Sequence, residues 1–137
     1  MPSYFGRWKE KLGKVDGASV ISLEVEFAND ALGNTQNVYV VPKPDQVKGS
    51  YMVHIENPST VTDLSVKFFI SRTGKADGLL VSVQAGKATT DTGTNIGAYD
   101  VIMLGAFAGG DLKIVASNDT QLGAAEGFEA KIELYEM

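Results

Sequence analysis

The sequence contains no cysteine, one histidine and one tryptophan among its 137 residues. The absence of cysteine excludes a disulfide scaffold, a thiol enzyme and a zinc module with cysteine ligands. The single histidine, His54, excludes any site that requires two imidazoles. Because no other catalytic motif is present, we predict that the protein is not an enzyme and has no catalytic, cofactor or metal site.

Long apolar runs and a positive net charge are also missing. No apolar run approaches the roughly 20 residues that a transmembrane helix needs, and the N-terminal residues lack the apolar core of a secretory signal. The net charge of −5 argues against general nucleic-acid binding, which depends on neutralising phosphates. We therefore expect a soluble domain that binds neither nucleic acid nor a membrane, and without other information we expect it in the cytoplasm.

Apolar and polar residues alternate over most of the chain. The first clear case begins after Ser19, where Ile21, Leu23, Val25 and Phe27 would share one face of a strand. About eight such segments, separated by turn signals, predict an all-β fold over residues 18–137, namely a two-sheet antiparallel sandwich that includes the jelly roll as one form. The residues expected in the core are Leu64, Val66, Phe68, Ile70, Phe128, Ile132 and Leu134.

Residues 1–17 form a basic, aromatic arm that differs from the rest of the chain. Residues 1–14 have a net charge of +3, whereas the other 123 residues have a net charge of −8. The arm is expected to be short and either helical or extended, because ten residues are too few for a helix to persist alone in water. The arm residues predicted to bind a partner are Tyr4, Phe5, Arg7, Trp8, Lys9, Lys11 and Leu12.

The arm has three alternative binding surfaces: a membrane surface, the acidic body of its own chain, or a neighbouring subunit. We favour a neighbouring subunit, because opposite charges steer association between chains. A second contact is predicted at residues 101–107, where apolar residues lie on both sides of the strand and imply a cover on each face. Ile102 and Leu104 are the residues assigned to that contact.

Three other groups of residues have a less specific pattern. His54 is expected to be an exposed or structural histidine rather than a catalytic base, because no nucleophile or acid motif accompanies it. Asx-rich loops, such as Asn118-Asp119, suit turns and leave calcium binding open. Aromatic residues on strands also leave sugar binding open, through a stacking platform made of Tyr39, Tyr51 and Tyr99.

The strand and turn segments ENPSTVTDLSVKFFI, GAFAGGDLKIVASND and GFEAKIELYEM resemble those of small β-sandwich virion proteins of tailed phages, especially capsid decoration proteins. The resemblance covers about residues 18–135 and includes no functional motif. It implies a non-enzymatic structural subunit in the virion, a homo-oligomer such as a trimer, assembled on a capsid. The alternative function is a carbohydrate-binding module, because fold alone does not decide function.

Overall fold

The alternating segments form strands throughout the computed structural model, which describes residues 6–15, 18–27, 36–40, 48–88, 97–106, 111–119, 122 and 127–136. Nine strands and no helix occur in these residues, so none of their elements is a helix long and apolar enough to cross a membrane. The strands are β1 (Gly6–Val15), β2 (Ala18–Phe27), β3 (Gln36–Val40), β4 (Lys48–Asn57), β5 (Leu64–Ser71), β6 (Gly78–Ala85), β7 (Gly97–Ala106), β8 (Asp111–Asn118) and β9 (Phe128–Glu136).

The strands form two antiparallel sheets, which confirms the predicted sandwich. One sheet has five strands in the order β1-β2-β9-β4-β7, and the other has four in the order β3-β8-β5-β6. Strand β9 therefore lies between β2 and β4, although it comes last along the chain. Because most neighbours in the sheets are distant in sequence, the sandwich depends on long-range pairing.

The core lies between the sheets and contains most of the residues predicted for it. Leu64, Val66 and Phe68 are completely buried on β5, as are Ile132 and Leu134 on β9. Ile70 is also buried, while Phe128 is half-buried. The ring of Phe128 stacks on Phe27 of the paired strand, with ring centroids 4.7 Å apart. Each large side chain that is fully covered in this way contributes about 1.5–3 kcal/mol.

The N-terminal arm is extended over Gly6–Val15 and is the edge strand β1 of the five-stranded sheet. It pairs with β2 of its own chain, in a register that places Arg7 opposite Glu26 and Lys9 opposite Glu24. Opposite charges at facing positions favour such a pairing, and the pairing supplies backbone hydrogen bonds between β1 and β2. Tyr4 and Phe5 lie outside the described residues. Docking of the arm on a partner chain stays a prediction.

The doubly apolar segment belongs to β7, at the other edge of the same sheet. Val101 packs against the core from this strand. Ile102 pairs with Met52, and Leu104 pairs with Ser50. The side chains of Ile102 and Leu104 lie outside the described residues, so the second cover of this strand also stays a prediction.

The end of β4 is tied to the opposite sheet by the side chain of Asn57, which is completely buried. Its Nδ2 donates to the carbonyl oxygens of Thr62 at 3.0 Å and Ala85 at 3.1 Å. Its Oδ1 accepts a hydrogen bond from the Ser59 amide at 3.1 Å. One amide group thus joins the last residue of β4, the following turn and the last residue of β6.

Candidate functional site

The outer surface of the five-stranded sheet presents a group of polar side chains near its centre. They arise from alternation, because residues next to buried core positions point to the opposite side of a strand. On β4, His54 and Glu56 lie on the outer side together with the apolar Met52. These three residues alternate with the buried Val53 and Ile55. We call this surface the β4–β9 face and define it by Met52, His54, Glu56, Asp100, Lys131, Glu133 and Tyr135.

Strand register arranges the β4–β9 face in rows. His54 lies directly opposite Asp100 on β7 and Glu133 on β9. One row further along, Met52 lies opposite Tyr135, and on the other side Glu56 lies opposite Lys131. Neighbouring strands are about 4.7–4.9 Å apart, so side chains in one row are within contact of each other.

The imidazole of His54 lies between two carboxylates. Its Nδ1 is 2.8 Å from Asp100 Oδ1, and its Nε2 is 3.1 Å from Glu56 Oε2. An ionised carboxylate can only accept hydrogen bonds, so both contacts are fully made when both ring nitrogens carry a proton. Partial burial is the largest single influence on the pKa of His54, and it lowers this pKa. The hydrogen bonds to Asp100 and Glu56, together with the negative charges of these residues, outweigh burial and raise the pKa above 6.5.

Glu133 is less exposed than the other charged side chains of the β4–β9 face, with 15% of its side-chain surface accessible. Its Oε1 accepts a hydrogen bond from the Tyr135 hydroxyl at 2.9 Å, and its Oε2 is 3.5 Å from Lys131 Nζ. Partial burial, followed by the hydrogen bond to Glu133 and nearby negative charges, raises the pKa of Tyr135. The phenol therefore remains a hydrogen-bond donor at neutral pH.

Three side chains on this face are close enough together to share a metal ion. One potential ligand atom from each of His54, Glu56 and Glu133 lies within 4.8 Å of the other two. No metal site is predicted from the sequence, where no nucleophile or acid motif accompanies His54. The spacing of His54 and Glu56 places both on one side of a strand, but only the pairing of β4 with β9 brings Glu133 beside them.

The tyrosines proposed for sugar stacking do not share one sheet. Tyr39 is on β3 of the four-stranded sheet, whereas Tyr51 and Tyr99 are on β4 and β7 of the five-stranded sheet. Tyr39 pairs with Ile114 and Tyr99 with Ile55, both of which are fully buried. These three tyrosines therefore do not form one platform. Tyr135, which was not among the residues predicted from the sequence, lies on the β4–β9 face.

The Asx pair at the end of β8 takes part in local structure. Asn118 is completely buried, and the Asp119 amide donates to Thr62 Oγ1 at 3.1 Å. The Asp119 carboxylate accepts a hydrogen bond from Gln84 Nε2 at 2.7 Å. These contacts agree with the turn interpretation of this pair. The other Asx-rich loops considered for calcium lie outside the described residues.

No model of a known protein family matches the sequence, and no curated protein sequence matches it either. Three solved structures of similar fold are carbohydrate-binding modules. One comes from a study of the promiscuous specificity of such modules in the β-sandwich superfamily, with 10% identity, a TM-score of 0.45, and coverage of 93% of this chain and 50% of the other. This chain therefore spans about half the length of that protein.

The second is a carbohydrate-binding module characterised for specific mannan recognition, with 12% identity, a TM-score of 0.41, and coverage of 98% of this chain and 85% of the other. The third is a module in complex with β-1,4-galactotriose, with 10% identity, a TM-score of 0.38, and coverage of 97% and 86%. The likeness extends to the β-sandwich architecture. These structures are carbohydrate-binding modules and not capsid decoration proteins, and on this finding the expected function as a virion subunit is wrong.

Proposed function

We propose that the chain is a non-enzymatic carbohydrate-binding module, and that its ligand lies on the β4–β9 face. The observation that supports this proposal is the layout of that face. Met52 and Tyr135 form an apolar row directly beside the polar row of Asp100, His54 and Glu133. A sugar ring has the same two properties, because it carries apolar C–H faces and a rim of hydroxyl groups.

The apolar row supplies the surface on which a sugar ring stacks. Met52 has 39% of its surface exposed, which is high for a large apolar side chain. Tyr135 is half-buried beside it, so the ring is supported by the sheet while part of it stays accessible. A tyrosine suits this position because its ring is apolar, and its hydroxyl keeps a polar partner in Glu133.

The polar row supplies hydrogen bonds for the hydroxyl groups. A sugar hydroxyl both donates and accepts, so it pairs with the carboxylates of this face as acceptors and with Lys131 as a donor. These side chains are held in place before any ligand arrives, because His54 is bonded on both ring nitrogens and Glu133 is bonded to Tyr135. Preorganised groups lose less conformational entropy on binding.

The proposal is tested by measuring binding to a panel of polysaccharides and their oligosaccharides, by affinity electrophoresis and then by isothermal titration calorimetry. Tyr135→Ala is expected to weaken binding about tenfold or more. An aromatic contact contributes roughly 0.5–1.5 kcal/mol beyond the free energy gained from burying its area, and 1.4 kcal/mol corresponds to a factor of ten in affinity. Tyr135→Phe keeps the ring and is expected to weaken binding less.

Phe69→Ala is the matched control. Phe69 is half-buried on β5 of the four-stranded sheet, at a position that alternates with the buried Phe68 and Ile70 and so points away from the core. This variant is expected to bind the ligand as the parent does. The proposal is wrong if no carbohydrate of the panel binds the parent protein, or if Phe69→Ala removes binding while Tyr135→Ala preserves it.

A further inference from the structure

We propose that His54, Glu56 and Glu133 form a binding site for one divalent first-row transition metal ion, for which Zn²⁺ is the probe. This inference goes beyond carbohydrate binding and does not depend on it, because it concerns only side chains that are already together in the protein without a sugar. The site lies on the solvent side of the sheet, between β4 and β9.

The geometry of the three donors is the first argument. Their ligand atoms lie within 4.8 Å of one another, and His54 Nε2 is already 3.1 Å from Glu56 Oε2. A Zn²⁺ ion binds nitrogen at about 2.0–2.1 Å and carboxylate oxygen at about 2.0–2.2 Å, so donors on a shared ion are roughly 3–4 Å apart. Small side-chain rotations are enough to bring the three donors to that spacing, and the fourth position remains open to water.

The second argument is that two of the donors are oriented by hydrogen bonds with residues outside the donor set. His54 uses Nδ1 to contact Asp100 at 2.8 Å, which leaves Nε2 directed at the carboxylate of Glu56. Metal-binding histidines characteristically give their other ring N–H to a carboxylate, which sets the tautomer and the ring orientation. Glu133 is likewise oriented by the Tyr135 hydroxyl at 2.9 Å. Asp100 and Tyr135 come from outside the donor set, and each orients one of its members.

The donor chemistry decides the class of ion. An imidazole nitrogen with two carboxylates suits Zn²⁺ and its neighbours in the first transition row, whereas Ca²⁺ and Mg²⁺ prefer sites made of oxygen alone. Two glutamates neutralise a divalent ion, and the bound ion takes the position between Nε2 and Oε2 that a hydrogen occupies in the metal-free protein. Lys131 Nζ, 3.5 Å from Glu133, is the competing cation that the metal must displace.

The experiment is a titration of the chelator-treated 137-residue protein with ZnCl₂ in the absence of sugar. Binding is measured by calorimetry and by competition with a chromophoric chelator. One Zn²⁺ per chain is expected. His54→Gln and Glu133→Gln are each expected to weaken Zn²⁺ binding by at least tenfold. Asp100→Asn, which changes only the group behind His54, is expected to weaken it by about tenfold to a hundredfold.

Glu129→Gln is the matched control, because Glu129 is another glutamate on the outer side of β9 but two rows from Glu133. It is expected to bind Zn²⁺ as the parent does, and circular dichroism verifies that each variant is folded. Replacing Zn²⁺ by Co²⁺ gives a visible absorption spectrum that is lost in His54→Gln if the imidazole is a ligand. The inference is overturned if the parent and His54→Gln bind Zn²⁺ equally, or if Ca²⁺ binds as tightly as Zn²⁺. Because no sugar is present, neither result bears on the carbohydrate proposal.

Discussion

Replacing Asn57 by alanine removes three hydrogen bonds from the interior at once. The side-chain amide serves two carbonyl oxygens and one backbone amide, all in buried residues. A buried polar group that loses its partner costs about 1–3 kcal/mol. With three such groups affected, we expect Asn57→Ala to reduce the free energy of unfolding by about 3–5 kcal/mol, a large part of the stability of a small domain.

Urea unfolding followed by circular dichroism measures this loss. With a slope of about 2 kcal/mol per molar urea, the midpoint is expected to fall by about 1.5–2.5 M. Gln84→Ala is the matched control, because it removes an amide whose hydrogen bond to Asp119 is exposed, and its cost should stay within about 0.5 kcal/mol. A loss below about 1 kcal/mol for Asn57→Ala would refute the reasoning, since it would mean that water or other groups satisfy the three partners.

Three other outcomes are expected. Phe68→Ala should cost about 3–5 kcal/mol in the same urea assay, because the ring is completely buried, and a cost below about 1 kcal/mol would contradict its core position. Hydrogen bonds from Lys113, the larger influence, and from Ser71 lower the pKa of Asp77 below 3.8. The ionised Asp77 therefore stabilises the folded protein above about pH 4, and this contribution is lost as the pH falls through the lowered pKa. Asp77→Asn should accordingly destabilise the protein at pH 7 and much less near pH 2, and equal effects at both values would count against this ion pair. Fluorescence of Trp8, the only tryptophan, should shift to shorter wavelength and become protected from quencher when the chain associates; equal protection in a dilute monomer would show that the arm does not need a partner chain.

Much of the fold was predictable because a strand repeats every two residues and therefore marks its own buried face. The alternation on β5 and β9 identified core residues such as Leu64, Phe68 and Ile132 correctly. The same rule could not decide whether the three tyrosines share a platform, because alternation does not say which sheet a strand joins. Tyr39 and Tyr99 both lie in strands, but these strands belong to different sheets.

The candidate site was not predictable, although half of it was visible in the sequence. His54 and Glu56 are two residues apart and so share one side of β4. Nothing local indicated that Glu133 and Asp100 would lie opposite His54 on the two flanking strands. From the sequence, His54 is therefore expected to be an exposed or structural histidine, whereas the structure places it between two carboxylates.

The sequence by itself determined the all-β class, the inward and outward side of strands with clear alternation such as β5 and β9, and the contrast between a basic arm and an acidic body. These properties follow from local periodicity and from charge, which do not depend on how the chain returns on itself. Only the tertiary structure decided that β9 lies between β2 and β4, and that the arm is an edge strand of the same sheet. Strand order depends on the packing of the whole core and on contacts between distant residues, and that order is what assembles the β4–β9 face.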